Sequence, residues 1–129
     1  MHSAQTAAAL ADAFIRDALA KARRLAPKEL IIAESAGDNA RRSSYFRALA
    51  REFDARLLDQ GSGGLGERMA RVLKPFAKHG GAILFGADIP SLPAELLARS
   101  AGLFENWPVV LGPAVDGGLL FARLPWQFA

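Results

Sequence analysis

Apolar residues recur along this chain in two rhythms that alternate. From about Ala4 to Leu25 they fall at helical spacing, with Leu10, Phe14 and Ala18 on one face and Ile15 and Leu19 beside them. Pro27 ends that helix. The mostly apolar run 29–34 reads as a short buried strand, and Gly37-Asp38-Asn39 as a turn. A second helix carries Tyr45, Phe46, Leu49 and Phe53 on one side, and 55–59 is a second strand. The glycine-rich loop 60–66 then leads into a third helix bearing Met69, Val72, Leu73 and Phe76. Pro75 predicts a kink in that helix or the start of its end, and Gly80-Gly81 its stop. A strand at 82–87, a helix near 93–104 opened by Pro93, a strand at 109–111 opened by Pro108 and a last strand at about 118–124 complete the pattern.

This alternation predicts an α/β fold, a three-layer α/β/α arrangement around a mostly parallel sheet. Ligands of such sheets bind beyond the carboxyl ends of the strands. Gln60 and the loop after it, Asp88, and the stretch from Gly112 to Gly118 all fall at or just past predicted strand ends. With 129 residues and no internal repeat, low-complexity tract or linker, a single domain over 1–129 is expected.

Composition narrows the picture. Half the residues are apolar (51%), which argues for a globular chain rather than a disordered one. There is no cysteine, which excludes disulfides and thiolate metal sites and fits a reducing cytoplasm. No apolar run approaches the ~20 residues of a membrane span, and Met1 to Gln5 lacks the pattern of a signal peptide, so no membrane association is expected. The formal charge is +3. Its arginines, among them Arg16, Arg23, Arg24, Arg41, Arg42, Arg47, Arg51 and Arg56, read as a solvated helical surface. A nucleic-acid surface would interleave cations with exposed aromatics. Here Phe14, Phe46, Phe53 and Phe76 keep core spacing, so no nucleic-acid partner is expected.

Two acids stand out. Asp116, in Gly112-Pro113-Ala114-Val115-Asp116-Gly117-Gly118, lies between two apolar runs, beside glycines that admit close approach to the backbone. Asp88 ends the run 82–87 and precedes Ile89-Pro90. Two carboxylates at strand ends suit a hard divalent cation that holds a phosphate-bearing ligand. A helix cap for Asp88 and a turn for Asp116 are the plainer alternatives. Glu34 is a conceivable third acid. His2 and His79 have no zinc spacing, and Ser43 and Ser44 lack a serine-hydrolase context.

Gly61-Ser62-Gly63-Gly64-Leu65-Gly66 matches G-x-G-x-x-G between a strand and a helix, with an acid roughly 20 residues on. A Rossmann-type dinucleotide site is therefore one reading. A turn whose glycines serve only the backbone is another.

Three blocks together resemble the DUF2064 family. They are Gln60-Gly61-Ser62-Gly63-Gly64-Leu65-Gly66-Glu67-Arg68-Met69, then Gly86-Ala87-Asp88-Ile89-Pro90-Ser91-Leu92, then Val110 to Gly118. The helix around Leu10, Phe14 and Asp17 resembles the family's first helix. Members are often called selenium- or radical-SAM-associated glycosyltransferases, within the nucleotide-diphospho-sugar transferase (GT-A) superfamily. The resemblance implies a truncated GT-A fold and a metal-dependent glycosyl- or nucleotidyltransferase acting on a nucleotide-sugar or nucleoside triphosphate. It implies Asp88 and Asp116 as catalytic and metal ligands for Mg²⁺ or Mn²⁺, and Leu65, Gly66, Arg68, Gly117 and Gly118 as substrate-binding positions.

The chain departs from that family at both ends. It starts at the helix that follows the family's first strand and basic loop (Lys-x-Pro…Gly-x-x-Lys-Thr-Arg-Leu), and it stops before the usual C-terminal helices. Leu119 and Leu120 stand where the family favours tyrosine. Without that strand, 29–34 and 82–87 would either pair or leave a gap, which a second copy of the chain could cover. The alternative to an enzyme is then a degenerate GT-A-like domain that binds a ligand or a partner subunit.

Overall fold

The structure, a computed structural model, describes residues 3–35, 37–76, 81–103, 106, 110–113 and 119–123. His2, His79, Gly80, Pro108, Asp116, Gly117 and Gly118 lie outside the described residues. The chain divides into two compact units, each taken by itself below.

The first unit holds the N-terminal helix and the chain from Phe85 to Ala122. Helix α1 (Ala4–Arg24) begins where Ser3 accepts a hydrogen bond from the Thr6 amide at 3.1 Å, satisfying one orphan donor of the first turn. Lys21, Arg23 and Arg24 in its last turn complement the helix dipole. The helix ends as predicted before Pro27, with Ala26 in the left-handed region at φ 49°. Leu10, expected on the core face, is 43% exposed. The buried residue of α1 is Leu19, towards its C-terminal end, and the helix packs on α4 (Ala94–Leu103). Leu92 and Leu97 are the other buried apolar residues among those described in this unit, Leu97 completely so. Ser100 is buried too. Its hydroxyl lies 2.9 and 2.8 Å from the carbonyls of Leu96 and Leu97 and donates back into its own helix.

Strand β3 is only Leu84–Phe85, shorter than the predicted 82–87. Gly81 at φ 93° turns the chain before it, and Gly86 ends it. With β4 (Val110–Pro113) and β5 (Leu119–Arg123) it makes a three-stranded sheet in the order β3-β5-β4.

The second unit runs from Pro27 to Leu84 and opens with a β-α-β element. Strands β1 (Ile31–Glu34) and β2 (Arg56–Asp59) pair in parallel, with Ile31, Ile32, Ala33 and Glu34 opposite Arg56, Leu57, Leu58 and Asp59. Parallel neighbours need a crossover, and α2 (Ala40–Phe53) supplies it. Asn39 caps α2 by accepting from the Arg42 amide at 3.0 Å, and Asp54 ends it in the left-handed region at φ 51°. Leu49 is fully buried, and Ile32, Val72 and Leu73 complete the buried apolar set among the described residues of this unit. Helix α3 (Leu65–Leu73) runs directly into a 3₁₀ turn at Lys74–Phe76. Pro75, lacking an amide donor, tightens the last turn, so Phe76 falls just outside the helix that its spacing predicts. Among the described residues, β1 and β3 are not paired with each other.

Candidate functional site

The carboxyl ends of β1 and β2 carry the chemistry that the sequence places in the glycine loop. Gln60 is the hinge of this region. Its amide donates to the Glu34 carbonyl at 2.9 Å, extending the β1–β2 ladder by one rung. Its side-chain Nε2 donates to the Ala33 carbonyl at 2.7 Å, and its Oε1 accepts from Arg68 Nη1 at 3.3 Å. One glutamine thus ties β1, β2 and α3 together.

The loop that follows is held by its own side chains. Asp59 Oδ1 accepts from the Gly61 amide at 2.8 Å. Arg71, eleven positions beyond Gln60, reaches back and donates Nη1 to the carbonyls of Gln60 and Ser62. Gly61 (φ 72°) and Gly63 (φ 106°) adopt the left-handed backbone that glycine accepts freely. A β-carbon on Gly61 would overlap the Arg71 guanidinium, and one on Gly63 would overlap the Glu67 carboxylate. Both glycines therefore serve turn and close packing. Gly64 caps α3 without a side-chain hydrogen bond, and the Glu67 carboxylate lies over the loop where a dinucleotide fold would seat its pyrophosphate. That placement opposes the Rossmann-type reading, since two anionic groups would share one helix end.

Three of the positions drawn from the sequence resemblance meet here. Leu65 and Gly66 open α3, both exposed, and a β-carbon on Gly66 would meet nothing within 4 Å. Arg68, three residues from the helix start, is half-buried; its Nε is buried and has no hydrogen-bond partner. Glu34 is half-buried at the end of β1.

Asp88 lies in the other unit. It is exposed in the turn after β3, and its Oδ1 sits 2.8 Å from where a β-carbon on Gly86 would stand, so that glycine makes room for the carboxylate. The turn is anchored on both sides. Leu92 is buried and its amide donates to the Ile89 carbonyl at 3.1 Å. Lys21 Nζ donates to the Pro90 carbonyl at 2.8 Å while pairing with Asp17 at 2.7 Å. Asp88 borders an open pocket of about 260 Å³ lined by Ala11, Phe14, Ile15 and Ala87. No trio of His, Cys, Asp or Glu among the described residues could hold a metal ion by itself. One exposed carboxylate suits an ion such as Mg²⁺, which takes most of its ligands from phosphates and water.

The Gln60 bridge, the Arg71 clamp and the Glu67 cover have no sequence signature. The first two join residues that are no periodic neighbours, the third sets Glu67 against Gly63 four residues earlier, and only the crowding of polar residues around the glycines hints at them.

The fold is that of the nucleotide-diphospho-sugar transferases. The crystal structure of a putative nucleotide-diphospho-sugar transferase from Desulfovibrio desulfuricans G20 superposes with a TM-score of 0.75 at 26% identity. That match covers 94% of this chain and 52% of the other, so the chain spans about half the length of its structural neighbour. The profile of DUF2064, a family described as uncharacterized protein conserved in bacteria, matches residues 15–122, and the chain belongs to that family. No curated protein matches it. No helix among the described residues is long and apolar enough to cross a membrane.

Proposed function

We propose that the chain is a transferase domain that binds a nucleotide-sugar or nucleoside triphosphate with a divalent metal, and moves a glycosyl or nucleotidyl group. The observation that carries this reading is the likeness, over nearly the whole chain, to the structure of a putative nucleotide-diphospho-sugar transferase. Membership of DUF2064 supports it.

Within this reading each residue has a task. Arg68 binds phosphate oxygens, as a guanidinium does with two parallel donors. Leu65 and Gly66 border the ligand, and Gly66 leaves the backbone open to it. Asp88, with Asp116, holds Mg²⁺ or Mn²⁺ on the phosphates, and Gly117 and Gly118 leave room beside Asp116. The ion, when bound, offsets negative charge on the diphosphate leaving group.

Calorimetric titration with UDP-, GDP- and ADP-sugars and the four nucleoside triphosphates, each with and without Mn²⁺, tests this. Metal-dependent binding of one nucleotide, lost in Asp88→Asn and in Asp116→Asn, is the expected result. A well-folded chain that binds none of them overturns the reading.

A second reading is a non-catalytic domain that associates with another subunit. Among the described residues the β1–β2 ladder has two strands, which favours it, because parallel sheets are normally larger and covered. A stable dimer by light scattering, with no nucleotide bound, would support it, and a monomer would remove it.

A further inference from the structure

We propose that Gln60 is a positioning residue, which holds the Arg68 guanidinium at the carboxyl ends of β1 and β2 so that its remaining donors meet an anionic oxygen of the ligand. The inference rests on the nucleotide-binding reading above and adds to it the residue that orients the cation. Three observations carry it.

The first is the isolation of the Arg68 charge. Arg16, Lys21 and Arg56 each pair with a carboxylate, respectively Asp12, Asp17 and Glu29. Arg68 has no carboxylate partner among the described residues, although it is less exposed than Arg56. Its Nε is buried and unpartnered. A half-buried cation with no counter-charge among the described residues is costly to fold around unless something else rewards its placement.

The second is that Gln60 can be oriented in one way only. Its Nε2 must face the Ala33 carbonyl, an acceptor without protons, so Oε1 must face Arg68. The side chain has no spare freedom, and its direction is set by the backbone of β1.

The third is charge. A glutamate at 60 could accept from Arg68 equally well, but it would neutralise the guanidinium and set a carboxylate against the Ala33 carbonyl. A neutral amide orients Arg68 and leaves its charge for a ligand. The Arg71 guanidinium, by contrast, is committed to loop carbonyls.

The test is a double-mutant cycle read by calorimetry, with inorganic pyrophosphate and Mg²⁺ as the probe, on the full chain. The variants are Gln60→Ala, Gln60→Glu, Arg68→Ala and Gln60→Ala/Arg68→Ala, each also followed by thermal unfolding. Arg68→Ala and Gln60→Ala should each weaken binding by about tenfold or more, and the double variant should be no weaker than Arg68→Ala alone. Gln60→Glu should weaken binding at least as much as Gln60→Ala, which loss of packing alone would not produce. If Gln60→Ala does not fold, Gln60→Glu against Arg68→Ala carries the same comparison. Additive effects of the two residues on binding, or a Gln60→Glu variant that binds like the wild type, overturn the inference while leaving the transferase reading intact. A wild-type chain that binds neither pyrophosphate nor any nucleotide overturns both.

Discussion

The guanidinium of Arg71 fills the space in which a β-carbon on Gly61 would stand, and from there it donates to the carbonyls of Gln60 and Ser62. The positive φ favours glycine at 61, and a side chain there would also push the Arg71 guanidinium from its place on the loop. The loop that looks in sequence like a phosphate cradle has its carbonyls tied to a cation of its own helix.

Gly61→Ala should accordingly destabilise the protein by about 1–3 kcal/mol, the usual cost of a non-glycine residue in strained backbone with a contact to displace. Denaturant unfolding measures it. Adding Arg71→Ala should not restore the wild-type stability, because the backbone term remains and the loop carbonyls lose their donor.

Gly66→Ala separates stability from binding. Nothing lies within 4 Å of the added methyl, and the position is helical, so stability should rise by up to about 1 kcal/mol. If a ligand rests on the backbone there, affinity for the nucleotide found by titration should fall in the same variant. Unchanged affinity would take Gly66 out of the binding surface.

Lys21→Met should loosen the turn that carries Asp88. It removes the donor to the Pro90 carbonyl, a change worth about 1 kcal/mol. Hydrogen exchange at the Leu92 amide, which closes that turn, should quicken while amides of β1 and β2 stay unchanged. An unaltered Leu92 amide would mean that Leu92 burial alone holds the turn.

Ala26→Gly should stabilise. An alanine in the left-handed region costs about 1–2 kcal/mol, and glycine's greater chain entropy returns only part of it, for a net gain of roughly 0.5–1 kcal/mol. A lower melting temperature would contradict this account of the α1 terminus.

Leu97→Ala should cost about 2–5 kcal/mol, since the side chain is fully buried and its removal leaves a cavity. The same change at Leu10, 43% exposed, should cost far less. Paired denaturation curves of the two variants compare them directly.

Much of the fold is legible in the chain itself because its signals are local. Apolar spacing marks α1 to α4, Asn39 and Pro27 mark ends, and the parallel β1–β2 pair follows from a strand, a helix and a strand in succession. Errors fall where one residue changes the local geometry: Gly81 and Gly86 leave β3 two residues long, and Pro75 turns the end of α3 into a 3₁₀ turn. Leu10 is misread because periodicity names a face of a helix but says nothing about how far along the helix a neighbour extends. Asp88 is an exposed acid in the turn beyond β3, three residues past a strand that ends at Phe85 rather than at 87. The last acid, Asp116, lies outside the described residues.

Order of elements, class of fold and the positions of the acids and glycines are thus set by residues near each other in the chain, where hydrogen-bond spacing and backbone restriction act. The partners of Gln60, Arg68, Arg71 and Lys21 are a different matter. Gln60 reaches back 27 positions to Ala33, and Lys21 reaches forward 69 to Pro90. Such bonds form only once packing has brought distant backbone together and removed the water that would otherwise satisfy it. No short window of sequence contains that information.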